Sequence, residues 1–328
     1  MSNRNELLES IANTIQDYRA GEIEKPTPEH IDRWVSQFNE SVRINILREL
    51  DYVLQKTYFN KTNFTQFLNT VINSKKLAGV EPSYFWQNIK FLNIQQGGNS
   101  QREMLLMFNS LFYEQYGLNI SNCGANNPQA FLYLDDVLFS GNRIRNDISA
   151  WIRATAPNEA KVYIITLASH RKGQDYANRE IEKVTKQTQK NIEFIWKSLV
   201  HIEDRDYYIN TTDVLRPVSI PDNPLVNAYV SKMAYQPKLR RSGSVGELGF
   251  FMSDEGRMLL EQEMLIAGTQ IRQKCPNLNN YQRPLGNIVL ETLGFGSMIV
   301  TFRNCPNNTP LALWAGNPWY PLFSRKIN

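Results

Sequence analysis

The chain has 328 residues, of which 42% are hydrophobic, 21% charged and 11% aromatic. This length exceeds what one hydrophobic core usually covers, so we expect two or three packed units, and the composition excludes a collagen, a coiled coil and a long disordered tail. The formal net charge is +4, and residues 218–328 hold the whole basic excess, with 11 Lys and Arg against 7 Asp and Glu. That excess predicts either a surface for an anionic ligand or an ordinary solvated surface.

The longest strongly apolar runs, such as residues 162–168, are far shorter than the roughly 18 to 20 residues needed to span a bilayer. The first residues lack the basic-then-apolar order of a secretory signal. We therefore expect a cytoplasmic protein with no membrane partner.

Cysteines and histidines, three of each, are scattered along the chain: Cys123, Cys275, Cys305, His30, His170 and His201. The cysteines form no CxxC pair, and no two histidines have the i, i+4 spacing that places both rings on one helix face. The sequence therefore favours neither a disulfide framework nor a transition-metal enzyme.

The first 80 residues have helical periodicity. Thr27 followed by Pro28 is a typical helix start, and no polar constellation stands out. We predict an N-terminal helical module over residues 1–80, with helices over 7–15, 40–55 and 63–72.

Strands and helices alternate in the next part of the chain, which is typical of an α/β fold with a parallel, doubly wound sheet. Residues 130–134 are almost wholly apolar, as expected for a strand that is covered on both faces. We predict this core over residues 81–217, with strands over 88–94, 130–134, 161–167 and 192–196 and helices over 102–116, 144–152 and 175–189.

The last part of the chain, residues 218–328, is predicted to be a C-terminal α+β extension. The alternation of strand and helix patterns stops for some thirty residues at its start. These residues include a basic segment over 235–246 that is predicted to be a mobile loop. We predict a helix over 254–275 and strands over 298–302 and 311–314.

The most informative motif is the acid pair Asp135 and Asp136, which is predicted to end the apolar strand. Open α/β sheets bind ligands at the carboxyl ends of their strands. Because successive strand residues point to opposite sides, the two acids have different roles unless the strand ends between them. One is suited to hold a sugar diol, directly or through Mg²⁺, while the other orients water and the loop.

A short loop follows the acid pair and leads into a helix. Its backbone N–H groups and the helix N-terminus form an anion site, to which the hydroxyl of Ser140 adds a donor, and Gly141 lets the backbone approach closely. A diol site beside a phosphate site fits a ribose 5-phosphate.

An apolar strand with two acids also occurs in P-loop NTPases and in receiver domains. None of the 17 glycines begins a GxxxxGK[ST] motif, so the sequence lacks the phosphate-binding loop that a P-loop NTPase requires. A receiver domain requires a further aspartate and a lysine at the ends of later strands, and residues 166–170 supply neither at a recognisable position.

In this stretch the sequence resembles the type I phosphoribosyltransferases, whose signature is four apolar residues, two acids, two apolar residues and a Thr/Ser-Gly loop. Asp135 and Asp136 match the acid pair, and Ser140 and Gly141 match the loop. The resemblance implies that the acids are catalytic and hold Mg²⁺, either directly or through water.

Three loop residues depart from the small hydroxyl or glycine residues usual in that signature: Phe139, Asn142 and Arg143. The resemblance still implies that they contact the 5′-phosphate, and Arg143 offers a charge where a hydroxyl is missing.

The resemblance also implies that a diphosphate binds to a loop after the first core strand, which maps to Gly97, Gly98, Asn99 and Ser100, with Arg102 beside them. A plain turn is the alternative for the two glycines. Arg240 and Arg241 on the basic segment are further candidates to close over the phosphates.

Residues 305–314 and 319–323 resemble the C-terminal signature of a phosphoribosyltransferase-like family of bacterial conflict systems. Together with the motifs above, the resemblance covers most of residues 85–325. It implies an effector, or toxin, of anti-phage defence, with a retron reverse transcriptase and its msDNA, or another defence protein, as partner.

We therefore expect a Mg²⁺-dependent pentosyl (glycosyl) transferase or hydrolase that acts at the anomeric carbon of phosphoribosyl pyrophosphate, a nucleotide or an NAD-like ligand. The alternatives are a non-catalytic sensor of such a ligand and a nucleic-acid-associated scaffold that uses the basic last third. The sequence leaves the acceptor and the oligomeric state open.

Overall fold

The computed structural model describes residues 3–125, 127–275 and 277–326. The chain divides into two compact units, which we call the sheet unit (residues 62–202) and the helical unit (residues 1–61 with 203–328). These bounds differ from the predicted boundaries near residues 80 and 217, and the three-part division stays a prediction.

The helices are α1 (Arg4–Thr14), α2 (Pro28–Val35), α3 (Glu40–Thr57), α4 (Lys61–Ile72), α5 (Lys75–Ala78), α6 (Pro82–Gln87), α7 (Ser100–Tyr116), α8 (Asn142–Ala154), α9 (Arg171–Gln187), α10 (Pro224–Val230), α11 (Asp254–Lys274) and α12 (Leu311–Trp314). The strands are β1 (Tyr58–Phe59), β2 (Ile89–Phe91), β3 (Ala130–Leu138), β4 (Glu159–His170), β5 (Asn191–Ile202), β6 (Gln282–Arg283), β7 (Gly286–Asn287) and β8 (Val300–Thr301).

The sheet unit contains a parallel four-stranded sheet in the order β2-β3-β4-β5. On one face, the ring of Phe91 packs 5.1 Å from the ring of Phe108 in α7. Phe131, which points to the opposite face, packs 5.0 Å from Trp151 in α8. Helices therefore cover both faces, which explains the apolar sequence of β3 and confirms the predicted α/β class with a parallel sheet core.

The acid pair lies inside β3 and does not end it, so the predicted end of this strand is wrong. Pairing with β4 continues past the acids, with Asp135 opposite Thr166 and Val137 opposite Ala168. The reason is that backbone pairing proceeds whatever the side chain, so an acid is no signal that a strand stops. β5 is likewise longer than predicted and β2 is shorter.

The helical unit joins the start of the chain to its end. Tyr58 in β1 pairs with Val300 in β8, and the indole N–H of Trp34 donates to the carbonyl of Ala312 at 2.8 Å. The structure corrects two details of the prediction for this part. Residues 311–314 form a short helix where a strand was predicted, and α10 lies in a stretch that was predicted to lack regular structure.

The basic segment over 235–246 is anchored through Arg240, which is 2% exposed. Its guanidinium pairs with Glu261 at 3.0 Å and with Asp254 at 2.7 Å, while buried Arg257 pairs with Glu261 at 2.8 Å. The expectation that Arg240 closes over a phosphate is therefore wrong, because its donors hold acids within the helical unit. Part of the basic excess stabilises this interior and is not available to a surface.

None of the described helices is long and apolar enough to cross a membrane.

Replacing Gly256 by alanine is expected to destabilise the helical unit. A Cβ at this position would lie within 3.0 Å of the carboxylate of Glu49, which is buried and accepts the N–H of Met252 at 2.8 Å. Displacing that carboxylate should lower the free energy of unfolding by about 1–3 kcal/mol, although alanine favours a helix over glycine. Urea unfolding measures the change. The same substitution in a Glu49→Ala background should cost less, and an equal cost in both backgrounds would contradict the contact.

Candidate functional site

The acid pair has two different environments. Asp135 is 3% exposed, and its Oδ1 accepts the N–H of Asp136 at 2.9 Å. Asp136 is half-buried, and its Oδ1 accepts the N–H of Val137 at 2.6 Å. Because the strand continues through both residues, their side chains leave it on opposite faces. The two carboxyl groups are therefore suited to different tasks.

Burial raises the pKa of Asp135 to about 7, and the neighbouring charge of Asp136 adds to the shift. The hydroxyl of Ser100, the N–H of Asp136 and the charge of Arg143 oppose the rise in this pKa. A carboxyl with a pKa near 7 exchanges protons readily at neutral pH, which suits a general acid or base. Asp135 therefore has a pKa suited to proton transfer at neutral pH.

The β3–α8 loop, residues 139–141, packs closely against the start of α9. Gly141 has φ +75°, and a Cβ there would lie within 3.0 Å of the carbonyl oxygen of Gly173. A Cβ on Gly173 would in turn lie within 3.0 Å of the carbonyl oxygen of Phe139. The ring of Phe139 stacks on His170 with 5.3 Å between ring centroids. Two glycines thus permit a backbone-to-backbone contact that fixes the loop.

The N-terminus of α8 has no side-chain cap. Gly141 is its N-cap and, having no side chain, leaves the first N–H groups of the helix without a side-chain acceptor. These N–H groups and the positive end of the helix dipole favour a bound anion. The predicted phosphate residues Ser140, Gly141, Asn142 and Arg143 all lie at this terminus.

The β2–α7 loop, residues 92–99, is shaped by two glutamines. The side-chain oxygen of Gln101, which is buried, accepts the N–H groups of Ile94 at 2.8 Å and Gln95 at 3.0 Å. The side chain of Gln95 in turn accepts the N–H of Gln101 at 3.2 Å and donates to the hydroxyl of Ser100 at 3.0 Å. The loop is therefore closed at its base against the start of α7.

The two loops meet at the end of β3. Nη1 of Arg143 donates to the carbonyl oxygen of Gly97 at 2.6 Å. Asp147, one turn further along α8, accepts the hydroxyl of Tyr133 at 2.9 Å and the N–H of Gln96. Burial raises the pKa of Asp147, and these hydrogen bonds oppose the rise.

The fold thus brings the acid pair, the β3–α8 loop and the predicted residues Gly97, Gly98 and Ser100 together. Two further predicted residues, Asn99 and Arg102, are exposed at the start of α7. Sequence reasoning missed the residues that hold the loops: Gln95, Gln101, Tyr133, Asp147 and Gly173. Only the i, i+4 spacing of Arg143 and Asp147 was visible in the sequence, and it did not reveal that their partners lie in the other loop.

Mg²⁺ fits the chemistry of this site. Across residues 3–125, 127–275 and 277–326 no group of three or more His, Cys, Asp and Glu side chains is placed to hold a metal alone. Because the two side chains leave the strand on opposite faces, one carboxylate of the pair is the hard ligand that faces a given ion, and Mg²⁺ is commonly held by one or two carboxylates together with substrate phosphates and water. A ligand with phosphate groups would complete such a site.

The chain matches a known family over most of its length. The model of the family described as PRTase-CE matches residues 31–325, which include the acid pair and both loops. A search of curated proteins gives no match. A search of solved structures also gives none.

Asp135→Asn is expected to flatten the pH dependence of stability. The folded-state pKa lies above the ordinary value of about 3.9, so the folded protein binds this proton more tightly between about pH 4 and pH 7. The resulting stability is present below about pH 4 and is lost as the pH rises to about 7. At pH 8 the variant should therefore be more stable than the parent by up to about 4 kcal/mol, at about 1.4 kcal/mol for each pH unit between the two pKa values, and should melt several degrees higher, and the gain should shrink at pH 5.

Thermal melts between pH 5 and pH 8 measure this effect. Glu114→Gln, at an exposed position of α7, is the control and should leave the slope unchanged. Identical slopes for Asp135→Asn and the parent would refute the buried, titrating carboxyl.

Proposed function

The chain belongs to the PRTase-CE family, a phosphoribosyltransferase-like family, and from this membership we propose a specific ligand and reaction. The protein binds phosphoribosyl pyrophosphate, or a related nucleotide or NAD-like ligand, together with Mg²⁺ and transfers or hydrolyses at the anomeric carbon. One observation carries the proposal: the acid pair on the central strand lies between two loops that each lead into a helix N-terminus.

In this proposal the 5′-phosphate binds at the N-terminus of α8. The donors are the first backbone N–H groups of that helix and the hydroxyl of Ser140. The ring of Phe139 packs on His170 and so contributes to the shape of the loop. The backbone donors, which any sequence supplies, compensate for the hydroxyl side chains that this loop lacks.

Asp135 and Asp136 would hold Mg²⁺, either directly or through water. The ion, when bound, neutralises charge on the diphosphate and so stabilises it as a leaving group. Asp136 is the more exposed of the two acids, which supports assigning the ribose diol to it. The diphosphate lies on the β2–α7 loop, where Gly97, Gly98 and Ser100 supply backbone and hydroxyl donors.

The reaction breaks the bond between the anomeric carbon and the diphosphate oxygen, and the electron pair leaves with the diphosphate. The sugar becomes cation-like, and the acceptor or water bonds to the anomeric carbon and gives up a proton. Asp135, whose pKa burial raises to about 7, is suited to take that proton where Asp136 is the acid that holds the ion directly. The N-terminus of α8 and Arg143 keep the phosphate groups neutralised while the sugar is positioned.

The biological role that we propose is that of an effector in anti-phage defence. The support is the resemblance of residues 305–314 and 319–323 to the signature of phosphoribosyltransferase-like proteins of bacterial conflict systems. A retron reverse transcriptase with its msDNA, or another defence protein, is the partner that this resemblance implies. Loss of phage protection in cells that carry Asp136→Asn would link the site to that role.

A non-catalytic sensor is the second candidate, and the burial of Asp135 favours it. This carboxyl is 3% exposed and already bonds to the N–H of Asp136 and to Ser100. A ligand must therefore displace existing contacts before it reaches the acid. Such a change in local structure could report binding to a partner without chemistry.

Calorimetry with phosphoribosyl pyrophosphate and Mg²⁺ tests the site. Asp136→Asn and Asp135→Asn should each weaken binding at least about tenfold, because each removes a charged ligand worth about 1.5–3 kcal/mol. Glu114→Gln should bind like the parent. Unchanged affinity in both aspartate variants would remove the site assignment. Release of diphosphate by the isolated protein would identify an enzyme, whereas binding without release would favour the sensor.

A further inference from the structure

Arg143 connects two loops that are more than forty residues apart in sequence. It lies in the first turn of α8, and its Nη1 donates to the carbonyl oxygen of Gly97 at 2.6 Å. A Cβ on Gly98 would lie 3.2 Å from Cζ of Arg143 and 3.4 Å from Nη2, and closer still to Nη1. The guanidinium therefore rests against the α-carbon of Gly98, in space that any side chain at this position would fill.

The neighbouring glycine provides a contrast. A Cβ on Gly97 would have nothing within 4 Å, and only Gly98 has a positive φ, of +81°. Gly98 therefore has two reasons to be glycine, its backbone conformation and the guanidinium beside it. The second reason is a tertiary contact with Arg143 and does not follow from a plain turn.

The same helix holds the loop at a second point. Asp147 lies four residues after Arg143, and its carboxyl accepts the N–H of Gln96. One face of the first two turns of α8 thus binds consecutive residues, 96 and 97, of the β2–α7 loop. The loop is positioned by α8 as well as by the glutamines at its own base.

The contact with Gly97 leaves the guanidinium with donors to spare. An arginine carries five N–H donors in a planar fork, and its Nη1 bond to Gly97 uses one of them. The side chain is exposed and starts from the helix terminus at which we place the 5′-phosphate. Planar guanidinium groups bind phosphate oxygens through two parallel hydrogen bonds.

We propose that Arg143 is a positioning residue that couples the two loops, so that the site prefers a ligand with phosphoryl groups at both ends of the sugar. The inference rests on the proposed function, because it assigns one phosphate group to each loop. An anion at α8 fixes the guanidinium, the guanidinium fixes Gly97 and Gly98, and the ordered loop binds the second anion more tightly. The coupling is reciprocal, since each anion strengthens the other by the same factor.

This role accounts for the departure at position 143 from the hydroxyl or glycine residues of the phosphoribosyltransferase signature. A hydroxyl at that position reaches only an anion at its own helix terminus. An arginine at the same position spans to the other loop and fills the space beside Gly98. The departure thus adds a link between the loops.

The test measures pyrophosphate binding by calorimetry, in Mg²⁺, with and without saturating ribose 5-phosphate. In the parent protein ribose 5-phosphate should strengthen pyrophosphate binding at least about fivefold. Arg143→Gln should reduce this factor to about 1, and Arg143→Lys should restore it only in part because lysine lacks the planar fork. Arg153→Gln, which removes a charge at an exposed position in the last turn of α8, is the matched control and should keep the coupling.

The glycines supply an independent variant pair. Gly98→Ala should lose the coupling because its Cβ displaces the guanidinium, whereas Gly97→Ala should lose less of it. Thermal melts confirm that each variant is folded before its coupling is compared.

The outcomes separate this inference from the proposed function. Binding of the probes by the parent protein, with coupling that persists in both Arg143→Gln and Gly98→Ala, would overturn the role of Arg143 as the residue that couples the loops and leave the proposed function standing. A parent protein that binds both probes without coupling would have the same consequence. A parent protein that binds none of the three probes, pyrophosphate, ribose 5-phosphate and phosphoribosyl pyrophosphate, would overturn both the proposed function and the coupling role of Arg143.

Discussion

The parallel pairing of β3 with β4 beyond the acid pair is the constraint on which the site depends. Because the ladder continues to Leu138, Asp135 lies in a buried row of the sheet, although it is a charged residue. Burial disfavours its ionised form and raises its pKa to about 7. The extension also delivers the β3–α8 loop at the edge of the sheet, where it meets the loop from β2. The chemistry of the site is thus set by the length of one strand.

Close contacts at three glycines also shape the site. Gly141 and Gly173 allow the β3–α8 loop to touch the start of α9, and Gly98 makes room for a guanidinium. Each contact joins segments that lie far apart in sequence, and each depends on the absence of a side chain. The backbone-to-backbone contact therefore fixes the β3–α8 loop before any ligand arrives, which reduces the entropy that binding at this loop would otherwise cost.

The helical unit illustrates how charge can be used inside a protein. The excess of Lys and Arg in the last third of the chain predicted either an anion-binding surface or ordinary solvation. In the structure Arg240 and Arg257 are buried and share the carboxylate of Glu261. Removing one partner would leave a buried charge unpaired, so this cluster contributes to the integrity of the unit. A count of charges by segment carries no information about which of them are buried.

The sequence by itself determined the α/β class, most of the helices, the apolar strand and the identity of the acid pair and its loop. These features are local: they rest on periodicity, capping residues and a contiguous motif. Only the tertiary structure decided where β3 ends, that Asp135 is buried, and that Arg143 and Asp147 hold the other loop. Gln101 and Gly173 gave no signal in the sequence, because their partners are backbone groups and every residue except proline has the same ones. A residue whose partner is the backbone of another segment becomes recognisable only when the chain is folded.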